Sequence, residues 1–594
     1  MLDEAIIKFL SENKIFAGIS QDALIALSQN MCVMSLSGGE YVMHEGDAAS
    51  EMYILFQGRL GVYSSKDKST LIAEIGVGAV VGELALLTDM PRVADVRAIR
   101  DSVLIKVDQT TFRSWILLHP ESAIKMISSS IQRLLPKESE YVHPMTTLAI
   151  IPGEKDLDLT TFSQQLLIAM QPYKKCKILS EQDDVVKQAI ARNEPVSIAY
   201  LNECENNHDV LIYVARVSVD SWGMQCIRQA DKVLKVITET MSEQSEMIEY
   251  LHADKNILAE KYLVVLHSSE TKMPRETDKL MNATHSKRVL HVKGEEDYQR
   301  IGRFFTGHAV SLVLSGGGIR GAAHIGFHYA LQSKGIPVDM LGGSSFGSLA
   351  AVVIGQRLSH DESIEKSHWV QKTLPGLMDY TLPLVSLLKG ERLDELLTTA
   401  FTTELLLEDL WIPTFCTATN MTEADIKIFD QGLAWESIRA SISLPGIFPP
   451  VVKDGTVLVD GATFNNLPVD IMRDRNNGGK VIASSVSTDL AQEHYFANSC
   501  SVSGFEVLLD RFRANPHEHL PPLLEMLVNA QFVGAQRHMN QVKYLCDYYM
   551  DLNVSEHPML DVKHWDEIVE KGYQRGLRLI EDMGLSRESL GIKN

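Results

Sequence analysis

Residues 309–347 read AVSLVLSGGGIRGAAHIGFHYALQSKGIPVDMLGGSSFG, and this stretch decides the fold of the C-terminal half. It contains two apolar runs, each of which ends in a glycine-rich turn and is followed by a helical pattern. This alternation of strand, turn and helix predicts an α/β fold. Glycine reaches backbone conformations closed to other residues, so the first turn can aim several N–H groups at one point.

The first turn is expected to bind an anion. A helix begins directly after it, and the positive end of the helix dipole adds to the backbone N–H groups. Such a site holds either a phosphate or the oxyanion of an acyl-transfer intermediate. Its residues are Gly316, Gly317, Gly318, Arg320 and Gly321.

The second turn fits the GxSxG pattern of a nucleophile elbow. Gly343 and Gly347 flank Ser345, and the elbow needs small residues there because its helix packs closely on its strand. Ser344 has Phe346 where the second glycine would be required. Ser345 is therefore the expected nucleophile.

A serine nucleophile needs a base. The run VLVDGA at 457–462 places Asp460 at the end of an apolar strand, before Gly461 and Ala462. A carboxylate at the C-terminal end of a strand is well placed for a site in an α/β sheet. Two other interpretations stay open, namely an ordinary Asp-Gly turn and a triad with a later histidine, for which the candidates are His494, His517 and His538.

The three segments together resemble the signature of patatin-like phospholipases, in the order of that family. The resemblance implies a Ser–Asp dyad in which Ser345 attacks an ester carbonyl and Asp460 takes its proton. It also implies that backbone N–H groups of Gly317 and Gly318 hold the oxyanion, and that Arg320 orients the turn or meets a lipid phosphate. SISLPGIFPP at 441–450 and NNLP at 465–468 are similar to the segments that flank the family's aspartate.

His324 and His328 lie four residues apart on the helix after the first turn, but no third metal ligand is apparent. We expect helix packing there. No metal and no cofactor is expected to be required for catalysis.

Residues 38–96 resemble a cyclic nucleotide-binding domain, which implies an N-terminal β-roll. The residues that match its phosphate-binding cassette are Gly82, Glu83, Leu84, Ala85, Arg92, Val93 and Ala94. The family's glutamate binds the ribose and its arginine pairs with the cyclic phosphate. Two departures are Val93, where a small or hydroxyl residue is common, and Asp95, a negative charge near the anion site. Two alternatives therefore stay open for this domain: it binds cAMP or cGMP as a regulatory ligand, or it is a structural module without a ligand.

The domains are expected at 1–140 for the nucleotide-binding-like roll, at 145–270 for a Rossmann-like α/β domain and at 306–594 for the patatin-like domain, whose core is 310–475. The polar segment 271–305 is interpreted as a linker. The middle domain lacks GxxxxGK[ST], so no P-loop is expected. SWGMQCIRQAD at 221–231 resembles neuropathy target esterase-like proteins, which join these three parts in this order.

Composition excludes several classes of protein. The formal charge of −21 argues against nucleic-acid binding. Seven scattered cysteines without a CxxC pair favour reduced thiols. No apolar run reaches the roughly 18 residues that span a bilayer. We therefore expect a cytoplasmic protein, peripheral at the membrane, whose oligomeric state the sequence leaves open.

The expected function is a serine esterase that cleaves carboxylic ester bonds of phospholipids or lysophospholipids through an acyl-serine intermediate. The substrate must approach from a membrane surface or a micelle. The alternatives are an inactive signalling or scaffold protein that responds to cyclic nucleotide, and a neutral-lipid lipase or acyltransferase. Three apolar segments are expected either to line an acyl channel or to belong to the core. They are WIPTF at 411–415, LPGIFPP at 444–450 and LPPLLEMLV at 520–528.

Overall fold

The computed structural model describes residues 2–13, 31–63, 71–88, 90–118, 145–241, 243–254, 257–359, 378–486, 523–559 and 562–593, with scattered single positions between them. The chain forms two compact units. One comprises Met1–Thr271 and Lys279–Thr306, and the other comprises Lys272–Asp278 and Gly307–Asn594.

The first unit begins with an antiparallel β-roll, as predicted. Its strands pair in the order β1-β6-β3-β4, while β2 pairs with β6 and β5 with β3. Apolar side chains of the long strands β3 and β6 fill its interior. The elements are α1 (Leu2–Glu12), β1 (Met31–Leu36), β2 (Tyr41–Met43), β3 (Glu51–Tyr63), β4 (Leu71–Ile75), β5 (Val80–Val81), α2 (Glu83–Thr88), β6 (Asp95–Asp108) and α3 (Gln109–Leu118).

The first unit continues with a six-stranded parallel sheet in the order β12-β11-β10-β7-β9-β8. The central strands are mostly apolar because helices cover both faces of such a sheet, although β10 carries a buried lysine, Lys235. The elements are β7 (Thr147–Pro152), α4 (Thr160–Met170), β8 (Cys176–Leu179), α5 (Asp184–Arg192), α6 (Ile198–Asn207), β9 (Val210–Val214), α7 (Ser221–Arg228), β10 (Lys232–Thr238), α8 (Glu246–Ala253), β11 (Glu260–Leu266), α9 (Thr277–Ala283), β12 (Val289–Val292) and α10 (Glu295–Thr306).

The linker predicted at 271–305 is wrong. This segment contains α9, β12 and α10, and β12 extends the sheet by pairing in parallel with β11. Hydropathy does not identify α10 as part of the folded unit because many of its side chains are charged. Arg300 is buried in α10, where it pairs with Asp297 at 3.2 Å and donates to the carbonyl oxygen of His291 at 2.6 Å.

The connection from β7 to α4 lies where a P-loop domain binds phosphate. Its sequence at 153–160, GEKDLDLT, has Asp158 and Leu159 in place of the glycine and lysine of a P-loop. The Asp158 carboxylate accepts the N–H of Thr160 at 2.9 Å. An acidic side chain thus occupies the helix N-terminus that would otherwise face an anion.

A buried ion cluster joins the roll to the parallel sheet within the first unit. The Asp231 carboxylate lies 3.3 Å from Arg59 of β3 and 3.1 Å from Arg100 of β6. It also accepts the backbone N–H groups of Thr146 and Thr147. Burial raises the pKa of Asp231, but the two guanidinium groups and these amides outweigh it and lower the pKa overall. The carboxylate is therefore held ionised inside the protein.

The second unit is built on an eight-stranded mixed sheet in the order β17-β18-β15-β14-β13-β19-β20, with β16 paired to β15. The elements are β13 (Val310–Leu314), α11 (Ala322–Ser333), β14 (Met340–Ser344), α12 (Phe346–Gly355), α13 (Glu391–Phe401), β15 (Thr414–Asn420), β16 (Asp425–Phe429), α14 (Ala434–Ser441), β17 (Val451–Lys453), β18 (Thr456–Asp460), α15 (Val469–Arg475), β19 (Lys480–Ser485), α16 (Leu523–Val542), β20 (Tyr548–Asp551) and α17 (Trp565–Asp582).

Helices α11 and α17 pack with backbone in contact. A Cβ atom on Gly326 would lie 1.9 Å from the carbonyl oxygen of Val569, and one on Gly572 would lie 2.2 Å from that of Ala323. Glycine is required at both positions because no side chain fits there. The last helix thereby fixes α11, which follows the first glycine turn.

Within the described residues, no helix has both the length and the apolar character needed to cross a bilayer. Of the apolar segments, 411–415 belongs to the core, where Trp411, Ile412 and Phe415 are all buried. Most of 520–528 lies outside the side chains that the structure describes.

Candidate active site

Ser345 lies at a sharp turn between β14 and α12. Its φ is 52°, a left-handed conformation that costs free energy for a residue with a side chain. A Cβ atom on Gly343 would meet the Gly347 carbonyl at 2.3 Å, and one on Gly347 would meet the Leu314 carbonyl oxygen at 2.3 Å. The spacing of small residues in the sequence therefore reflects a real steric requirement of this elbow.

The Ser345 hydroxyl donates to the Asp460 carboxylate, with 2.8 Å between Oγ and Oδ2. Asp460 is the last residue of β18, which pairs with β15 so that Asp460 is opposite Ala418. Its other oxygen accepts the N–H of Ala462 at 2.8 Å. The structure thus brings together the serine and the aspartate that the sequence selected, with the DGA segment holding the carboxylate in place.

Burial raises the pKa of Asp460 to about 7, although the hydrogen bonds from Ser345 and Ala462 lower it. A base with a pKa near the working pH is suited to accept a proton from serine. The group is protonated in acid and ionised in mild alkali, so its capacity as a base changes in the physiological range.

We expect the hydrolysis rate to depend on pH through Asp460. Because only the carboxylate accepts a proton, kcat/KM should fall about tenfold per pH unit below about pH 7 and level off above it. The contribution of Asp460 to the free energy of unfolding should change with pH in the opposite direction. The folded pKa exceeds the unfolded value, so this group stabilises the fold fully below about pH 4 and loses that contribution as the pH rises through about 7. A pH–rate profile that is flat from about pH 5 to 9 would contradict the expectation.

One turn at the end of α14 contacts both residues of the pair. The Ser441 hydroxyl accepts the backbone N–H of Ser345 at 2.8 Å and donates to the Thr417 carbonyl oxygen at 2.6 Å. The Ser443 carbonyl oxygen accepts the backbone N–H of Asp460 at 3.0 Å. Ser348 also lies 2.8 Å from the Ser441 hydroxyl. The turn therefore sets the separation of the two segments that carry Ser345 and Asp460.

We expect Ser441→Ala to lower kcat by about tenfold to a hundredfold. The change leaves the buried N–H of Ser345 without an acceptor, which costs about 1–3 kcal/mol. Ser441 touches the elbow and not the substrate, so KM on a soluble ester should change little. The matched control is Ser437→Ala, because the Ser437 hydroxyl bonds to the Leu433 carbonyl oxygen in the same helix. Equal kcat in both variants would show that Ser441 does not position the elbow.

The first glycine turn passes directly beside Ser345. A Cβ atom on Gly316 would lie 2.7 Å from that of Ser345. The N–H of Gly316 donates to the Asn466 side-chain oxygen at 2.9 Å, and the N–H of Ile319 donates to the Met559 carbonyl oxygen at 2.9 Å. Among the described residues, the N–H groups of Gly317 and Gly318 have no acceptor. Of the turn's amides, these two are the candidates for holding an oxyanion.

The Arg320 side chain anchors the C-terminal segment. Its Nε donates to the His557 carbonyl oxygen at 2.5 Å, and its Nη2 donates to that of Ser555 at 3.3 Å. Of the two roles suggested for Arg320, these contacts favour orientation of the turn. Gly321 packs against the Phe346 ring, where a Cβ atom would come within 2.3 Å.

The histidines have separate surroundings. His324 is buried and hydrogen-bonds the Ser484 hydroxyl and the Ser315 carbonyl oxygen, both at 2.9 Å. Burial lowers the pKa values of His324 and His328 to about 4, so both are neutral. His538 lies 3.5 Å from Asp470. The other two triad candidates, His494 and His517, lie outside the described residues.

In the part of the chain that the structure describes, no group of three or more His, Cys, Asp or Glu side chains is arranged to hold a metal ion. The positions of His324 and His328 agree with the helix packing expected for them.

The cassette of the β-roll is organised around Arg92. This buried guanidinium donates to the carbonyl oxygens of Gly82, at 2.9 Å, and Glu51, at 2.5 Å. Gly82 has a φ of 83°, and a Cβ atom there would clash with Arg92. Glu83 and Ala85 are buried, and the backbone of Leu84 lies in α2. The arginine is therefore held in a fixed position by the protein.

The two departures from the cassette pattern have different surroundings. Val93 is 56% exposed, and Ala94 is half-buried. Asp95 is buried and accepts the backbone N–H of Glu45 at 2.8 Å, with His44 at 3.7 Å. Its carboxylate thus has a structural role in the turn before β3.

Three family models match the chain. Cyclic nucleotide-binding domain covers residues 33–119, Neuropathy Target Esterase family P-loop like domain covers 144–307, and Patatin-like phospholipase covers 312–473. The three parts follow one another in the order expected from the sequence. The P-loop-like match agrees with the sheet order, although residues 153–160 lack the motif itself.

Relatives match nearly the whole chain. Patatin-like phospholipase domain-containing protein 7 of Mus musculus is 28% identical over 91% of this chain and 45% of its own length. Neuropathy target esterase sws of Drosophila melanogaster is 29% identical over 92% and 42%. Lysophospholipase NTE1 of Cryptococcus neoformans is 26% identical over 91% and 38%. The chain therefore spans less than half the length of these relatives.

Proposed function

We propose that the chain, which is similar to neuropathy target esterases and matches the patatin-like phospholipase model, is a serine esterase that hydrolyses carboxylic ester bonds of phospholipids and lysophospholipids. The observation that carries this proposal is the 2.8 Å contact between Ser345 Oγ and Asp460 Oδ2 beside the first glycine turn. The name of the Cryptococcus relative, a lysophospholipase, supports the same class of substrate.

In the proposed mechanism, Asp460 accepts the Ser345 proton as Oγ attacks the ester carbonyl carbon. The N–H groups of Gly317 and Gly318 stabilise the oxyanion that forms. The tetrahedral intermediate collapses, and the departing alkoxide takes the proton from Asp460 and leaves as the alcohol. Water then gives a proton to Asp460 as its oxygen attacks the acyl-serine carbonyl carbon. The bond from Ser345 Oγ to the acyl carbon breaks, Asp460 returns the proton to Oγ, and the fatty acid departs.

The test is labelling of the full chain with a fluorophosphonate probe, together with hydrolysis of lysophosphatidylcholine. We expect wild type to be labelled and to release fatty acid, and Ser345→Ala to do neither. Absence of labelling in wild type would favour an inactive scaffold. Labelling with turnover of triacylglycerol alone, or with acyl transfer in place of hydrolysis, would assign a different lipid reaction to the same serine.

We also propose that the β-roll binds a cyclic nucleotide as a regulatory ligand. The fixed Arg92 supplies one charge for a cyclic phosphate, and it contacts the backbone of Gly82, the residue directly before α2. Calorimetric titration with cAMP and cGMP should show heat for one of them. Because hydrogen bonds to a charged group contribute about 1.5–3 kcal/mol, Arg92→Ala should weaken binding by roughly tenfold to a hundredfold. Arg97→Ala, on β6 outside the cassette, is the control, and absence of heat in wild type contradicts the proposal.

We propose that the protein lies in the cytoplasm, at the surface of a membrane that supplies its substrate. The six cysteines among the described residues are free thiols, as in a reducing compartment.

A further inference from the structure

A loop in the second unit, closed by a single antiparallel bridge between Tyr380 and Leu388, carries exposed aliphatic side chains at its tip. We call this loop the hairpin. Leu382, Leu384 and Val385 are 73%, 83% and 68% exposed, and Tyr380 is 71% exposed. Exposed apolar residues are usually scattered singly over a protein surface, whereas these four lie within six positions. The cluster therefore needs an explanation other than chance.

The base of this hairpin is fixed. The N–H of Thr381 donates to the Leu387 carbonyl oxygen at 3.0 Å, and that of Lys389 donates to the Asp379 carbonyl oxygen at 2.9 Å. The Asp379 carboxylate accepts the backbone N–H groups of Gly390 and Arg392, both at 3.2 Å, at the start of α13. The tip is thus presented from a hydrogen-bonded support.

The hairpin is bonded to the segment that holds the candidate catalytic pair. The N–H groups of Leu387 and Leu388 donate to the carbonyl oxygens of Gly446 and Ile447, at 2.9 Å and 3.0 Å. Gly446 lies three residues after Ser443, whose carbonyl oxygen accepts the N–H of Asp460. Three residues span at most about 10 Å of chain, so the hairpin adjoins the site.

The composition of the tip fits a lipid phase. Residues 380–388 read YTLPLVSLL and contain no charged side chain, in a chain whose formal charge is −21. Leucine and valine enter hydrocarbon favourably, and tyrosine is enriched at the boundary between hydrocarbon and water. Exposed Lys389 follows the tip, where a long cationic side chain can reach lipid phosphate.

We infer that the tip formed by residues 380–385 inserts into the outer acyl region of a phospholipid bilayer and so holds the Ser345 site against its substrate. The inference rests on the proposed function for its substrate and names the surface that meets the membrane. A protein partner is the competing occupant, and the experiment below separates the two.

The test measures binding to phosphatidylcholine vesicles by flotation, with Ser345→Ala as the parent to prevent hydrolysis. Adding Leu382→Asp and Leu384→Asp together should weaken binding at least tenfold. The matched control adds Val533→Asp, which changes an aliphatic residue that is 61% exposed on α16, and should bind like the parent. Unchanged binding of the tip variant, equal loss in the control, or no vesicle binding by the parent would each overturn the inference and favour a protein contact.

Two further measurements guard against misfolding. In the otherwise wild-type chain, the tip variant should hydrolyse a water-soluble short-chain ester within about twofold of wild type while losing most activity on vesicles. Equal loss on both substrates would make the hairpin structural. In addition, tryptophan at position 384, from Leu384→Trp, should be quenched by brominated phosphatidylcholine more than the native tryptophans. Failure of wild type to hydrolyse any ester, with tip-dependent vesicle binding intact, would reject the proposed function and leave this inference standing.

Discussion

Asp460→Asn is expected to lower kcat by about 10²–10⁴, the range that a positioned general base contributes. Asparagine has the shape of aspartate and can still accept the N–H of Ala462, but it cannot take the proton of Ser345. Ser345→Ala should reduce kcat further, by roughly 10⁶, because it removes the nucleophile itself. The measurement is steady-state hydrolysis of a soluble ester and of lysophosphatidylcholine at about pH 8.

The Asp460→Asn variant should remain folded. Ionising the buried carboxyl group at about pH 8 opposes folding, since its folded pKa lies above the unfolded value. A neutral amide avoids this cost, so thermal unfolding should occur no lower than in wild type. Asp454→Asn serves as the matched control because Asp454 is exposed at the turn between β17 and β18. Retention of activity in Asp460→Asn would exclude the direct-base mechanism and return attention to a histidine.

Asp231→Asn is expected to destabilise the first unit by about 3–5 kcal/mol. The change removes the one fully buried carboxylate that Arg59 and Arg100 share. The two guanidinium groups then keep only the more exposed carboxylates of Glu74 and Glu205, and the cluster loses its buried negative charge. A loss of this size should lower the first thermal unfolding transition of the full chain by roughly 6 °C or more. Because the pKa of Asp231 is depressed, the same contribution should be present above about pH 4 and lost as the pH falls below that value.

The control for Asp231→Asn is an exposed ion pair in the same unit. Arg228 and Asp101 approach to 3.2 Å but keep 43% and 28% of their side-chain surface in water. Exposed pairs contribute about 0–1 kcal/mol, so Arg228→Ala should shift the transition by little. Similar shifts for the two variants would show that the buried cluster contributes no more than a surface pair does.

The central pair of the site was predictable because its signals are local. GxSxG and DGA combine a reactive residue with the small neighbours that its turn requires. A side chain at Gly343 or Gly347 would clash with the neighbouring backbone, which is why only glycine fits there. The contribution of Met559 was not predictable, because it acts through a backbone carbonyl oxygen that any residue could supply. Ser441 lay in a segment singled out from the sequence, but only the structure shows that its hydroxyl meets the N–H of Ser345.

The interpretation of 271–305 failed for a different reason. Hydropathy identifies strands and helices that bury apolar side chains, and here a four-residue strand is followed by a helix rich in charge. Arg300 and Asp297 are buried as a pair, so their charges do not mark the surface. Short strands at the edge of a parallel sheet are therefore easily mistaken for connecting segments.

The first glycine turn is supported by the chain's last hundred residues, which limits how the candidate active site can be studied in a shorter fragment. The carbonyl oxygen of Met559 accepts the N–H of Ile319. The Arg320 side chain donates hydrogen bonds to the carbonyl oxygens of Ser555 and His557. Strand β20 pairs with β19 in the sheet. An expression fragment trimmed to residues 310–475 would contain the full signature yet lack every one of these supports. Loss of activity in such a fragment would reflect the missing contacts to the glycine turn. It would carry no information about the chemistry of Ser345 and Asp460.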